Sequence, residues 1–352
     1  MENEAKKYVL VDDHSVRDNL LPLTYCRPVA GLRVGITTIR EKWERELGKP
    51  CACKTVDYLF EKYPYEIDAG TECRPSNVVP GVGEINHLYD IFLLNAKAIE
   101  ADFASITAGR RSMPLSDTCT VIGDASRIFI EEGAVVEGAM LNTRGGCIYI
   151  GKDAEVMEGA CLRGPIAICE HAVVNMGAKI YGGTTIGPWC KVGGELNNVV
   201  MQAYSNKAHD GFLGNAVIGE WCNLGAGCVA SNLKNDYTEI KLWNYPAQRF
   251  LKTGLQFCGV IMGDHTKCGI NSMLNTATVL GVGVNIHGTG FPRPFVASFC
   301  ETSGGASGYT EVSMTKFFDI ASRMMARRHI ELTEADKRMF YAIREIASAY
   351  RL

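Results

Sequence analysis

The sequence has little surplus charge and no long apolar run. Its 36 Lys and Arg residues nearly balance 39 Asp and Glu residues, leaving a formal net charge of -3 at pH 7. Proteins that bind nucleic acid or anionic membranes through charge usually carry a basic surplus, so we expect neither partner here. No segment approaches the ~20 apolar residues of a membrane span. The short apolar patch at 8–11 does not resemble a secretory signal, so we expect a cytoplasmic protein.

The chain also lacks the paired cysteine spacing of disulfide frameworks and zinc sites, although it contains 14 cysteines. In a chain of this length without a secretory signal, we expect reduced thiols. Cys51, Cys53 and Cys73 do not have the spacing of a structural zinc site, so we expect no metal there. Three other cysteines fall on small positions of the repeat described next and are expected to pack in its interior: Cys190, Cys222 and Cys228.

Aliphatic residues recur at every sixth position through the middle of the chain. This period fits neither the 3.6 residues of a helix nor the two of a flat strand. It is typical of a hexapeptide parallel β-helix, in which each coil is buried only against its neighbours. The main run is Ile150, Val156, Leu162, Ile168, Val174, Ile180, Ile186 and Val192, and a second is Met262, Cys268, Leu274, Leu280 and Ile286. A weaker earlier run is Ile122, Ile128, Ala134 and Met140.

The repeat divides the chain into three predicted parts. Residues 1–115 lack it and form a small α/β region, with a strand at 8–11 and a helix at 35–47. The solenoid covers 116–300, and loops leave it around 197–216 and 232–258. Residues 301–352 have a helical pattern, with a helix start at Thr333 and Asp336. Because a solenoid needs capped ends, we expect these helices to close its carboxyl end.

A dense motif lies within the repeat region. It begins Lys-Ala-His-Asp-Gly-Phe-Leu-Gly-Asn-Ala at Lys207, continues with Asn-Leu-Gly-Ala-Gly at Asn223, and ends near Asn232. It resembles the acetyltransferase half of the bifunctional glucosamine-1-phosphate acetyltransferase and N-acetylglucosamine-1-phosphate uridylyltransferase, whose motif is His-x-x-Tyr-Leu-Gly-Asp-Ala followed by Asn-Ile-Gly-Ala-Gly. The resemblance implies a left-handed parallel β-helix, assembly as a homotrimer, and acetyl-CoA as co-substrate.

The resemblance also assigns roles to individual residues. His209 takes the place of the general base, Asn223 and Asn232 that of substrate-binding residues, and Gly225, Ala226 and Gly227 border the coenzyme groove. The role suits histidine, because a group with a pKa near ~6.5 can accept the proton that an amine loses on attacking a thioester, and backbone N–H groups can stabilise the oxyanion.

The match to this family is incomplete at three places. The family's tyrosine in the histidine motif is Phe212 here, and the tyrosine that follows the last asparagine is Leu233. The basic pair that precedes the histidine in the family is replaced by Asn197 and Asn198. We therefore expect the sugar-phosphate contacts to differ from those of the family.

Other polar residues are weaker candidates for substrate contacts. Lys207, Arg163 and Lys179 offer the charge-assisted donors that a sugar phosphate needs, although each also fits a solvated surface position. His265 and His287 lie near glycine corners and are expected to be structural or to line the groove.

The amino-terminal region carries a second resemblance. Val11-Asp12-Asp13 and the run from Leu21 to Trp43 are similar to the opening of a bacterial subgroup of sugar nucleotidyltransferase-like proteins. The similarity continues in segments as far as Gly290-Phe-Pro-Arg. It implies Mg-dependent nucleotidyl transfer, with Arg27 and Arg33 as phosphate-binding candidates. The region is short, however, and residues 1–70 contain no glycine-rich phosphate loop. Asp12 and Asp13 could bind magnesium, but we favour structural roles for these aspartates and for the two arginines.

Three functions follow from this sequence. The leading hypothesis is an acyltransferase that uses acetyl-CoA to N-acetylate an amino sugar phosphate or a nucleotide sugar. The first alternative is a Mg-dependent sugar-1-phosphate nucleotidyltransferase. The second is a non-catalytic scaffold or sugar-nucleotide sensor, which the substitution at Phe212 and the missing basic pair favour.

Overall fold

The computed structural model describes residues 7–302 and 308–351. The amino-terminal region is built on a three-stranded parallel sheet in the order β2-β1-β3. Its strands and a small hairpin are β1 (Lys7–Val11), β2 (Cys51–Lys54), β3 (Thr71–Pro75), β4 (Val78–Val79) and β5 (Gly83–Glu84). Its helices are α1 (His14–Asn19), α2 (Ile39–Leu47) and α3 (Asp90–Thr107). The predicted strand at 8–11 is confirmed.

Helix α2 begins later than the sequence pattern indicated. Its N-cap is Thr38, whose hydroxyl accepts from Glu41 N while the Glu41 carboxylate accepts from Thr38 N. This capping box satisfies two N–H groups at the helix start. Gly48, with φ 65°, ends the helix. The predicted helix is therefore confirmed at its carboxyl end and is shorter at its amino end.

The repeat region forms a parallel β-solenoid with three faces, as predicted. Face A consists of β7 (Ile128–Ile130), β10 (Ile148–Ile150), β13 (Ile166–Ile168), β16 (Thr184–Ile186), the second halves of β18 (Glu195–Met201) and β20 (Phe212–Ile218), β25 (Ile261–Met262), β28 (Val279–Leu280) and β30 (Phe295–Val296). Parallel pairing in register joins each coil to the next. The left-handed sense of the coil stays an implication of the resemblance.

The other two faces follow the same order. Face B consists of β8 (Val135–Val136), β11 (Glu155–Val156), β14 (Val173–Val174), β17 (Lys191–Val192), β19 (Asn206–Lys207), β21 (Asn223–Leu224), β26 (Lys267–Cys268), β29 (Asn285–Ile286) and β31 (Cys300–Thr302). Face C consists of β6 (Thr120–Ile122), β9 (Met140–Asn142), β12 (Cys161–Arg163), β15 (Lys179–Ile180), the first halves of β18 and β20, β22 (Val229–Ala230) and β27 (Met273–Leu274). Hairpin β23 (Lys241–Asn244) and β24 (Arg249–Lys252) lies in the excursion between β22 and β25.

The main run of aliphatic residues lines the interior, as predicted. Every member from Ile150 to Val192 is at most 2% exposed. The weaker early run is wrong at three of its four positions, Ile122, Ala134 and Met140. The interior row is formed instead by Val121, Val136 and Leu141, and Met140 is 48% exposed. The coil that separates Ile128 from Ile148 is two residues longer than 18, so the six-residue step loses register there.

The corner between faces A and B carries a row of side chains in the left-handed region of φ. The row contains Asp153, His171, Trp189, Tyr204, Trp221, His265 and Phe299, with φ between 53° and 60°. Neighbouring rings stack: the His171 and Trp189 centroids are 4.1 Å apart, and those of Tyr204 and Trp221 are 4.2 Å apart. We call this row the A/B corner.

The carboxyl-terminal helices lie along the A/B corner and not over the end of the solenoid. They are α4 (Met314–Ala326) and α5 (Glu334–Ala347), and the predicted cap of α5 at Thr333 and Asp336 is confirmed. Phe317 of α4 packs on Phe299, while Arg328 after α4 lies 5.9 Å from the Trp189 ring centroid. The expectation of a helical end cap is therefore wrong; strand β32 (Tyr309–Glu311), antiparallel to β31, extends face B at that end.

The amino-terminal region packs against face A. Asn95 of α3 donates to the carbonyl of Gly183 at 2.7 Å and to Thr185 Oγ1 at 3.0 Å. One contiguous cluster of buried apolar residues runs from the amino-terminal sheet through the solenoid to α5. None of the helices in the described ranges is both long and apolar enough to cross a bilayer.

Candidate functional site

His209 lies on the corner between faces B and C, in the turn that joins β19 to β20. Its side chain is exposed, and no described residue forms a hydrogen bond with its ring. The glycine turn at 193–194 stacks on one side of it and the glycine turn at 225–227 on the other. An imidazole in this position can reach a ligand that lies along the corner.

The backbone of the His209 turn is held at three consecutive carbonyl groups. Ala208 O, His209 O and Asp210 O each accept from a donor on a different part of the corner. The donors are, in order, Asn175 Nδ2 at 2.8 Å, Lys207 Nζ, and Gly227 N at 3.1 Å. The main chain of the turn is therefore fixed, and the exposed imidazole is available to a ligand.

The Gly225-Ala226-Gly227 turn belongs to the next coil and lies beside the His209 turn, as the motif implied. Glycine is needed at 225 because an added Cβ would lie 2.8 Å from the main chain of Gly269. Gly225 N donates to Cys268 O at 2.9 Å, and Gly227 N donates to Asp210 O. These two N–H groups are thus occupied, and neither is free to stabilise an oxyanion.

Asn223 lies on face B, two residues before this turn, in register with Asn206 and Lys267. Sequence reasoning missed Asn206, which belongs to the coil of His209. Its Oδ1 is buried and has no hydrogen-bond partner within 7–302 and 308–351. The signal was available in the sequence, because Asn206 precedes Asn223 by about one coil length.

Asn232 lies at the far edge of face C and is not beside His209 within one chain. Its Nδ2 donates to Asn215 Oδ1 at 2.8 Å, at the corner between faces C and A. Phe212 lies next to Asn232, because both side chains border Gly214. A Cβ added at Gly214 would lie 2.6 Å from Phe212 Cζ and 2.7 Å from Asn232 Nδ2. The structure therefore brings Asn232 together with Phe212, while Asn223 lies near His209.

The structure places the two basic substrate candidates differently. Lys207 is 0% exposed and points into the solenoid, where burial lowers the pKa of its amine. The expected phosphate contact from Lys207 is therefore wrong. Arg163 is exposed on face C, three coils before Phe212, or about 14 Å away at the usual spacing of strands. Its phosphate contact stays a prediction, and it is not beside His209 in the same chain.

Arg27 and Arg33 have the structural roles favoured above, and the phosphate-binding roles that the resemblance implied for them are wrong. Arg27 is 4% exposed and donates twice to Asp264, at 2.6 and 3.1 Å. Arg33 is 9% exposed; its Nε donates to Gln202 O at 3.2 Å and its main-chain N donates to Gln202 Oε1 at 2.7 Å. Both guanidinium groups fasten the amino-terminal region to the A/B corner of the solenoid, so neither can reach a nucleotide.

The aspartates at the end of β1 have structural roles. Asp12 accepts from Thr55 Oγ1 and Ser76 Oγ, each at 2.6 Å, and from Val29 N. Burial raises the pKa of Asp12 in spite of these donors. Asp13 caps α1. Because the Asp12 carboxylate is buried and both of its oxygens accept hydrogen bonds, it does not fit a magnesium site.

The other two candidate histidines contact neighbouring side chains of the fold, and most of the cysteines are buried. His265 is 5% exposed between aromatic rings, and burial lowers its pKa well below the usual value. His287 Nε2 lies 2.9 Å from Glu301 Oε1. All of the cysteines are free thiols, and the three on small repeat positions are buried, as predicted. Within the part of the chain that the structure describes, no group of three His, Cys, Asp or Glu residues is arranged to hold a metal ion.

Comparisons with known proteins agree with the motifs. A family model described as sugar nucleotidyl transferase matches residues 8–78. The bifunctional protein GlmU of Trichodesmium erythraeum is 28% identical over 140 residues, which cover 39% of this chain and 25% of that protein. GlmU of Alkaliphilus metalliredigens is 25% identical over 243 residues, covering 58% and 53%. A bifunctional sugar-1-phosphate nucleotidylyltransferase/acetyltransferase of Sulfurisphaera tokodaii is 28% identical over 144 residues, covering 40% and 35%.

These matches are partial. The chain spans between a quarter and about half of the length of these relatives. Among solved structures, the UDP-N-acetylglucosamine acyltransferase of Francisella novicida is 14% identical, with a TM-score of 0.33 over 67% of this chain and 78% of that one. The predicted resemblance is confirmed: a GlmU-like hexapeptide-repeat family fits the chain, and its named relatives are transferases.

Proposed function

We propose that this protein is an acyltransferase that moves the acetyl group of acetyl-CoA to the amine of an amino sugar phosphate or a nucleotide sugar. The observation that carries the proposal is the exposed imidazole of His209 on a turn held at three carbonyl groups. The names of the bifunctional relatives, one of which includes acetyltransferase, support the same reaction class.

The chemistry assigns one step to His209. The acceptor amine attacks the thioester carbonyl and loses a proton to the imidazole, while the carbon–sulfur bond breaks and the thiolate of coenzyme A leaves. The proton then passes from the imidazolium to the thiolate. Asn223, which lies beside Asn206 on face B, offers its amide group to a ligand that lies along the corner.

The proposal includes assembly as a homotrimer through face C. Exposed apolar side chains follow this face and its corner with face B, and such patches mark association surfaces. They are Met140 (48% exposed), Met176 (71%), Val229 (40%), Ile270 (72%) and Met273 (38%). A second copy would cover this surface and approach the His209 corner. Light scattering should give three times the chain mass of 38.5 kDa; a monomeric mass would contradict the assembly.

The first test is acetyl-CoA binding by calorimetry, followed by product formation with a panel of amino sugar phosphates and nucleotide amino sugars. Products should be measured by mass spectrometry, because the exposed thiols of Cys73 and Cys161 would react with thiol reagents. His209→Asn should lower kcat by about 10²- to 10⁴-fold, the usual contribution of a general base, and should leave acetyl-CoA binding unchanged. The exposed His329→Asn serves as control. Equal kcat in both variants would contradict the proposal.

The match of residues 8–78 to the nucleotidyl transferase model favours a second candidate function, sugar-1-phosphate nucleotidyl transfer with magnesium. The burial of Arg27 and Arg33 speaks against it, since both are paired within the chain. Pyrophosphate release from a nucleoside triphosphate and a sugar 1-phosphate decides the question. We expect none, and release that depends on magnesium would establish this function instead.

A further inference from the structure

Lys207 occupies a position in the solenoid where an aliphatic side chain belongs. Lys207 pairs in register with the interior residue Val192 of the preceding coil. In the next coil, Asn206 pairs with Asn223, so the residue that follows Lys207 in the interior row of face B is Leu224. Both of these neighbours are at most 2% exposed, and Lys207 itself is 0% exposed. Apart from Thr302 in the last coil, the rest of the row is apolar: Val136, Val156, Val174, Val192, Leu224, Cys268 and Ile286.

Within the described part of the chain, the amine of Lys207 forms hydrogen bonds only with main-chain carbonyl groups. Its Nζ donates to Gly193 O at 3.2 Å, in the preceding coil, and to His209 O, in its own turn. The side chain thus extends from the interior to the B/C corner, where its amine binds the main chain of the turn that carries the imidazole. It ties this turn to the glycine corner of the coil before it.

Stability alone does not account for a lysine in this row. Taking a charged amine out of water is unfavourable, and two neutral carbonyls with the nearby Asp210 carboxylate do not fully offset this cost. A leucine or methionine would fill the space, as Leu224 does one coil later, without that penalty. Burial accordingly lowers the pKa of the amine. The amine is retained at a cost to stability, which calls for a role that an aliphatic chain cannot supply.

We propose that Lys207 is a positioning residue that holds the His209 turn in the geometry needed for proton transfer. The inference rests on the proposed function in so far as His209 is taken as the general base. One of the three carbonyl groups held in this turn is that of His209 itself. Among the described residues, Lys207 is its only hydrogen-bond donor. Without the amine, the peptide plane at 209 is free to rotate and the ring loses its fixed direction.

The test compares Lys207→Met with the wild-type protein. Methionine keeps the length and apolar character of the lysine chain and removes the amine. The thermal midpoint should stay equal or rise, since a buried charge is removed. The kcat for acyl transfer should fall by about 10- to 100-fold, the scale of effect of a small misplacement, while KM for acetyl-CoA changes little. Lys191→Met, an exposed lysine one coil earlier on the same face, is the matched control.

A second measurement does not depend on activity. In protein with ¹⁵N-labelled histidine, the ring signal of His209 can be assigned from His209→Asn. It should be single in the wild type and should broaden or split in Lys207→Met. If the wild type shows no acyl transfer, the proposed function fails while this spectrum still tests the positioning role.

Three results would overturn the inference. One is an unchanged kcat and an unchanged ring signal in Lys207→Met. Another is a fall in thermal midpoint large enough to account for the lost activity, which would make Lys207 a structural residue. The third is the same loss of kcat in Lys191→Met, which would trace the effect to surface charge.

Discussion

The A/B corner changes the acid–base chemistry of one of its own side chains. His265 lies between the rings of Trp221, Phe317 and Phe340, with centroids 6.1, 5.5 and 5.3 Å away. Burial holds its pKa well below the usual value, because the imidazolium would lose its hydration, and nearby cations such as Lys267 add to the effect. The folded protein therefore contains neutral His265.

This depressed pKa predicts a loss of stability at mildly acidic pH. Below the ordinary value of about 6.5 the unfolded chain binds a proton at this histidine and the folded chain does not. The free energy of unfolding should therefore decrease as pH falls, by about 1.4 kcal/mol per unit from this group. Urea unfolding at pH 7.5, 6.5 and 5.5 measures the slope. In His265→Asn, which suits the φ of 58° at this position, the slope should flatten.

His329→Asn is the control for this experiment. His329 also has a left-handed φ, 57°, but is exposed. This variant should keep the wild-type slope. If His265→Asn kept it too, protonation of another group would be responsible for the acid sensitivity.

At the scale of the coil, glycine is required wherever one turn of backbone presses on the next. Gly263 follows the interior residue Met262 at the A/B corner. A Cβ there would lie 2.7 Å from Gly281 C and 2.8 Å from Val282 N. The six-residue pattern predicts glycine at such positions, and coil stacking is the reason, since adjacent main chains leave no room for a methyl group.

Gly263→Ala should therefore lower the free energy of unfolding by about 1–3 kcal/mol, the usual cost of overpacking. Urea unfolding followed by circular dichroism measures it. Gly70→Ala is the control, because a Cβ there meets only Asp68 Oδ1 at an ordinary 3.5 Å. Equal stability of the two variants would show that the coils can move apart at no cost.

At the scale of the molecule, a buried ion pair joins the amino-terminal region to the solenoid. Arg27 and Asp264 are separated by 237 positions in the chain, and both are nearly inaccessible to solvent. Glu220 adds a third charge, 3.1 Å from Arg27. Removal of one partner would leave the charge of the other buried and unpaired. This ion pair should therefore contribute strongly to the free energy that holds the amino-terminal region on the solenoid.

Arg27→Met should cost about 3–5 kcal/mol in the free energy of unfolding. Unfolding followed by tryptophan fluorescence and by circular dichroism should give coincident transitions in the wild type, because the apolar core is continuous. The double variant Arg27→Met/Asp264→Asn should lose less than the sum of the two single variants.

The control is Arg338→Met, which removes an exposed pair between helix α5 and Glu61 of the amino-terminal region. It should leave the transition unchanged, as exposed pairs contribute little. A wild-type transition in Arg27→Met would mean that apolar packing alone holds the parts together.

The sequence by itself determined the solenoid and the location of the His209 motif. A period of six residues reports local backbone geometry, because each coil must present one apolar side chain per face to the interior. The same local character made the helix start at Thr333 predictable. The six-residue period did not predict that Lys207 points inward. The coil from Val192 to Lys207 contains 15 residues instead of 18, so Lys207 does not fall on a multiple of six after Val192.

Only the tertiary structure decided what the charged residues of the amino-terminal region and the carboxyl-terminal helices do. Arg27 and Arg33 had the residue type of phosphate ligands, and they became docking contacts because the A/B corner offers Asp264 and Gln202. Helix α4 had the pattern of a cap, and it lies along the corner because the row of aromatic rings there matches its apolar face. Such pairings depend on complementarity between segments distant in the chain, which no local period encodes.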